Sequence, residues 1–119
     1  MESHKLVLPE HLNQFGLLFG GNMLKWVDEF AWIAASMDHP DCNFVTIAFD
    51  KVEFRKGVKE GTILKFVSTE TNLGKTSVQY KVDVFRGKDQ GELAEAVFTT
   101  QVTLVNIDDS GNKVQLPKT

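Results

Sequence analysis

The sequence predicts an α+β fold in which an antiparallel sheet curls around one helix. Three observations predict it. Residues 21–37 repeat apolar side chains at helical spacing, with no internal Gly or Pro after the first position. Four later stretches alternate apolar and polar residues with period two. The connections VKEG, NLGK and RGKDQG are short and turn-prone, so neighbouring strands are expected to run antiparallel.

The elements follow in order. Lys5 to Leu8 reads as a short first strand stopped by Pro9. Pro9 to Gly16 is irregular. The helix is expected from Gly21 to Met37, ending before Asp38-His39-Pro40. At 100° per residue, Met23, Trp26, Val27, Phe30, Ile33, Ala34 and Met37 form a broad apolar arc. Asn22, Lys25, Glu29 and Ser36 form a narrow polar stripe. A helix this apolar is expected to be wrapped by other structure. Val45, Ile47 and Phe49 then alternate, the phase slips, and Val52 and Phe54 continue; such a slip marks a bulge in one long strand. Thr62–Asn72, Thr76–Arg86 and Leu93–Asn106 read as three further strands. DDSGNKVQLPKT reads as a turn and polar tail. No repeat or linker divides residues 1–119, so one domain is expected.

Composition excludes several function classes. Of 119 residues, 42% are hydrophobic and 24% charged, the profile of an ordinary globular protein. The net charge of −3 provides no global basic field for nucleic acid, so an anionic ligand depends on local Lys and Arg. The single cysteine, Cys42, rules out an internal disulfide framework and suits a reducing cytoplasm. No apolar run approaches the ~20 residues of a membrane span, and MESHKLVLPEH lacks a signal-peptide pattern.

The candidate chemistry concentrates in HLNQFGLLFGGNMLKWVDEF, residues 11–30. Asp28 lies where the polar stripe meets the apolar arc. It is either a boundary acid or a carboxylate that partial burial makes a better base. Glu29 reads as a surface acid spaced i,i+4 from Lys25. Gly20-Gly21 is either a tight helix entry or a place where a ligand reaches the unpaired first N–H groups of the helix. Such donors can stabilise an oxyanion. Asn13 is a turn former, or an amide presented to a water or carbonyl. Lys75 in LGKTS and Arg55-Lys56 are surface cations that could also contact phosphate. His4, His11, His39 and Cys42 show no metal-ligand spacing. Ser36 and Cys42 have no base partner visible in sequence, and there is no GxGxxG, P-loop or CxxC.

The order Asn13-x-x-Gly16-x-x-Phe19-Gly20-Gly21 followed by MLKWVDEFAWIAA closely resembles the hotdog-fold acyl-CoA thioesterases, in particular their cytosolic acyl-CoA hydrolase branch. FVTIAFDKVEFRKGVKEGTIL resembles the family's second and third strands. NLGKTSVQYKVDVF resembles its VGRTS hairpin, and AVFTTQVTLVNID its last strand. The resemblance implies a hotdog fold, an antiparallel sheet wrapped around a central helix. It places Asp28 on the catalytic carboxylate, Asn13 on its partner asparagine, and Gly20 and Gly21 on the helix-start glycines. Lys75, Thr76 and Ser77 fall on a hairpin near the coenzyme A nucleotide, and Arg55 and Lys56 are assigned to the same coenzyme. No cofactor or metal is implied, since coenzyme A is part of the substrate. Lys75 departs from the usual arginine, and Gly57 stands where many relatives have proline.

Thioester chemistry suits so spare a set of groups. The leaving thiolate has a parent pKa of ~8.5 and departs with little acid assistance. Asp28 acts as general base on a water oriented by Asn13, or attacks directly to form a mixed anhydride. Asp28 lies eight residues after Gly20, ~12 Å along a helix. One thioester cannot touch both, so Asp28 of one subunit is expected to face Asn13 and the glycine amides of another. That predicts a homodimer, assembled further into a tetramer or hexamer as in relatives. Phe15, Leu17, Leu18 and Phe19 suggest an apolar lid. Two rivals stay open: a hotdog dehydratase or hydratase, which needs a His such as His11 beside an acid, and a non-catalytic acyl-CoA-binding module.

Overall fold

Helix α1, Gly20–Asp38, forms over a stretch with no interior breaker and buries Met23, Trp26, Val27, Ala31, Ala34 and Ala35. The three alanines let its backbone approach the sheet closely. In this computed structural model, which describes residues 1–91 and 94–117, the other elements are β1 (Glu2–Leu6), a single 3-10 turn (Pro9–His11), β2 (Phe44–Phe54), β3 (Ile63–Leu73), β4 (Ser77–Arg86) and β5 (Phe98–Asn106). The strands form one sheet in the order β1-β3-β4-β5-β2, antiparallel throughout. The sheet's inner face presents Leu64, Phe66, Tyr80, Val82, Phe98 and Leu104 to the helix, all fully buried.

Phe66 anchors this core, its ring 4.9 Å from that of Phe30. Phe66→Ala is expected to destabilise the fold by about 3–5 kcal/mol, measured as a lower urea midpoint with an unchanged slope. A second anchor lies at the helix end. Asp38 in the last turn opposes the helix dipole, but the buried Tyr80 hydroxyl donates to its Oδ2 at 2.6 Å. His39 Nε2 lies 2.5 Å from Glu70 Oε1 beside it. Burial, then the hydrogen bond and charge of Asp38, push the Tyr80 phenol above its ordinary range. A raised folded-state value favours the neutral phenol. The stability it contributes is therefore complete below about pH 10 and is lost as pH rises beyond that. Tyr80→Phe should cost about 1.5–3 kcal/mol at neutral pH and flatten the alkaline fall in stability, read from melting curves across pH.

The structure departs from the sequence reading in several places. The first strand is Glu2–Leu6 rather than Lys5–Leu8, because its ladder stops at Leu6↔Ile63, where β3 begins. The last strand starts at Phe98. Leu93 lies outside the described residues, and Ala94–Ala96 make no ladder because β4 pairs with β5 only as far as Val84↔Phe98. VKEG does not close a hairpin. β2 pairs with β5 at one edge, so residues 55–62 cross to β3 on the far side of the sheet. The helix packs against the sheet as expected, although Trp32 and Met37 on it are exposed.

Strand β2 contains the anticipated slip, as two irregularities, between Thr46 and Ala48 and between Asp50 and Glu53. Lys51 sits in the second with φ 53°. The phase differs from the sequence reading: Phe44 is buried, whereas Val45 and Ile47 are exposed. Among the described residues no strand lies beyond β2, and Val45, Ile47, Val52 and Phe54 on it are exposed. The opposite edge, β1, is five residues long. It is tied down by the Met1 ammonium on Ser68 O at 2.8 Å and by Lys65 Nζ 3.7 Å from Glu2.

Candidate active site

Asp28 is half-buried on the flank of α1. Thr46 on β2 donates its hydroxyl to Asp28 Oδ1 at 2.6 Å. The two residues line an open groove of about 510 Å³ with Lys25, Glu29, Trp32 and Val45. Trp32 gives the groove an apolar wall and is fixed by its Nε1 donating to Phe44 O at 2.9 Å. One carboxylate oxygen is thus held by Thr46 and the other makes no hydrogen bond among the described residues. Glu29 is exposed, and no Lys25–Glu29 ion pair forms among the described residues.

Asn13 lies elsewhere. Its Oδ1 accepts the N–H of Phe15 at 2.9 Å and of Leu17 at 3.1 Å, so it builds the turn that ends at Gly16, φ 76°. Its amide nitrogen makes no hydrogen bond among the described residues. The turn is docked by Leu18 N–H on Val58 O at 2.7 Å. Asn13 lines a cavity of about 230 Å³ whose other walls include Leu17, Met23, Phe54, Val58 and Val97. No residue lines both this cavity and the Asp28 groove.

The helix begins at Gly20 with no side-chain cap on Phe19. Asn22 and Met23 N–H return to Phe19 O, while the Gly20 and Gly21 N–H groups find no acceptor among the described residues. A Cβ at Gly21 would meet nothing within 4 Å, whereas one at Gly20 would lie 3.1 Å from the Phe54 ring, so the open space is at Gly21.

The cations divide. Arg55 is paired with Glu53 at 2.8 Å and Lys56 with Glu95 at 2.6 Å; the hydrogen bond from Lys56 holds the Glu95 carboxyl below its usual range. Both also line the Asn13 cavity. Lys75 is exposed on the β3–β4 hairpin, where Thr76 O accepts Asn106 N–H and Gly74 N–H donates to Ser77 O. The sequence therefore names two cation groups that one chain does not bring together. His11 does not reach the Asp28 groove; its Nδ1 accepts Leu8 N–H at 3.0 Å and its ring meets Trp26 edge-on at 4.8 Å. Burial and then Asp41 push the Cys42 thiol up, making it a poor nucleophile.

A half-buried acid lines one groove and an asparagine lines a second, while the helix start carries two N–H groups without an acceptor among the described residues. A model of the thioesterase superfamily matches residues 15–93. The chain belongs to the thioesterase superfamily. Among relatives, the uncharacterized acyl-CoA thioester hydrolase YkhA of Bacillus subtilis is 29% identical over 94% of this chain and 64% of its own length. Acyl-coenzyme A thioesterase 11 of Mus musculus is 30% identical over 98% of this chain but 20% of its own. The chain thus spans less than two thirds of either protein. Two solved structures share its hotdog fold. An acyl-CoA hydrolase from Staphylococcus aureus, in complex with butyryl coenzyme A, coenzyme A and coenzyme A disulfide, superposes with TM-score 0.87 at 28% identity, covering 98% of this chain and 71% of that one. A hexameric hotdog fold thioesterase of Campylobacter jejuni gives 0.84 at 30% identity, covering 97% and 88%.

Within this superfamily member, sequence reasoning missed Thr46. No motif marks it. Its partnership with Asp28 arises because α1 packs across β2, a tertiary contact that strand periodicity does not encode. Gly57 packs closely against the Asn13 turn. A Cβ there would lie 3.2 Å from both Leu17 methyl carbons, so the glycine leaves room for a side chain of the Asn13 cavity.

Proposed function

We propose that the chain hydrolyses acyl-CoA thioesters to a free acid and coenzyme A at a site shared by two copies. The observation that carries this reading is the separation of Asp28 and Asn13 into two cavities with no common lining residue. Strand β2 supplies the means to unite them. It is an edge strand with Thr46 near its start and Phe54, which lines the Asn13 cavity, at its end. Antiparallel pairing of two β2 edges brings the start of one against the end of the other. Asp28 and Thr46 of one copy then meet Asn13 and the helix start of its partner. Exposed Val45, Ile47, Val52 and Phe54 become covered in the same step.

The chemistry follows from the groups. Thr46 holds one oxygen of Asp28, leaving the other to take a proton from a water. The Asn13 amide orients that water. The hydroxide attacks the thioester carbon, and the Gly20 and Gly21 N–H groups receive the charge that develops on oxygen. Collapse breaks the C–S bond; the thiolate leaves with the electron pair and takes up the proton. Lys75 with Thr76 and Ser77, and Arg55 with Lys56 once released from Glu53 and Glu95, are the groups to meet the coenzyme's phosphates. We assign the chain to a homodimer, assembled further into a tetramer or hexamer, in a reducing compartment such as the cytoplasm. Release of free thiol from an acyl-CoA series, with Asp28→Ala as control, tests the reading; equal release by the variant would overturn it.

A further inference from the structure

We infer that Asn22 is a positioning residue: its side chain holds the Asn13 turn and the start of α1 in one fixed arrangement. This rests on the hydrolase reading above and adds to it a residue that touches neither water nor thioester.

The groups it relates sit on different pieces of chain. In that reading Asn13 orients the water while the Gly20 and Gly21 N–H groups receive the oxyanion. About 1 Å of drift between such groups is enough to slow a reaction sharply. The connection between them is weak where it matters. Two successive glycines have more conformational freedom to lose than any other pair. Phe19 has the extended backbone of an N-cap, φ −61° and ψ 134°, but its side chain makes no cap hydrogen bond to steady them.

Asn22 supplies the missing constraint. Its Nδ2 donates to His11 O at 3.0 Å, and the same carbonyl accepts Phe19 N–H at 3.0 Å. Trp26, one turn further along α1, meets the His11 ring edge-on with centroids 4.8 Å apart. The helix thus grips His11 at two points, carbonyl and ring. Leu8 N–H donates to the ring's Nδ1 at 3.0 Å, so the anchor is itself fixed. Two residues on, Asn13 N–H donates to Leu17 O at 2.7 Å and closes the turn.

The direction of the Asn22 bond matters. An ordinary cap, a Ser or Asp at the position of Phe19, accepts the N–H of the second or third helical residue, here Gly21 or Asn22. It would compete for the donors that the reaction needs. Asn22 steadies the same turn by donating outward, and the Gly20 and Gly21 N–H groups stay without an acceptor among the described residues.

The test is kcat and KM, measured separately on whichever saturated acyl-CoA wild type hydrolyses fastest, for Asn22→Ala, Asn22→Leu and Asn22→Gln, with melting curves. Asn22→Ala should lower kcat about tenfold and leave KM within about twofold, because the loss falls on the transition state. Asn22→Leu keeps the size of the side chain, is the better helix former and cannot donate. It should lose as much kcat, and it carries the test should the alanine variant fail to fold. Asn22→Gln retains an amide donor and should recover part of the loss. Native kcat in the folded alanine and leucine variants, a loss confined to KM, or a glutamine variant no better than alanine would overturn the inference and leave the hydrolase reading standing. No hydrolysis by wild type of any acyl-CoA from acetyl to palmitoyl would overturn both.

Discussion

Asp28→Asn is expected to lower kcat/KM for acyl-CoA hydrolysis by about 10²–10⁴-fold, the range typical of losing a positioned general base. The substitution keeps the size of the side chain and an oxygen for the Thr46 hydroxyl, 2.6 Å away in the native protein. What it removes is the capacity to accept a proton. Glu29 cannot take over, because it is one position, about 100°, further round the helix and is exposed. Thiol release at saturating and subsaturating substrate, alongside circular dichroism and melting curves, separates the chemical effect from misfolding. Native kcat in the Asp28→Asn variant would remove Asp28 from the mechanism.

The second large effect is a gain rather than a loss. Asp28→Ala and Asn13→Ala proteins, each inactive alone, should recover about a quarter of wild-type activity when unfolded, mixed in equal amounts and refolded. Random pairing makes about half the two-fold dimers mixed. In each of these, one site inherits both lesions and the other inherits neither. A site contained within one chain gives no recovery. Size-exclusion chromatography must find all three preparations in the same assembly, so that persistent inactivity counts against the shared site rather than against refolding.

Much of this arrangement was legible before any coordinates. The helical wheel put Asp28 on the boundary of the apolar arc, and it is half-buried there. The broken phase at residues 49–52 signalled the irregular β2, now seen with Lys51 at φ 53°. Three things escaped. Strand order did, because VKEG looks like a hairpin loop whichever strands it joins; only side-by-side packing decides that β2 goes to β5. The true inner face of β2 did, because an edge strand leaves Val45 and Ile47 uncovered and so breaks the rule that apolar positions point inward. Thr46 did, because a hydroxyl in an alternating strand has no signature until α1 lies over it. The two readings of Asn13 also turn out to be compatible: its oxygen shapes the turn, while its amide nitrogen makes no bond among the described residues.

The two sheet edges differ in a way that bears on solubility. A strand that pairs with its own copy about a two-fold axis consumes itself, so association through β2 terminates after one event. Continued growth into fibres would need the β1 side to recruit another chain. That side bears the Glu2–Lys65 pair, and charge on an edge strand makes a poor template for addition. If two copies pair through β2 as proposed, each is left with β1 as its outer strand, and the Glu2–Lys65 charges there oppose further strand addition.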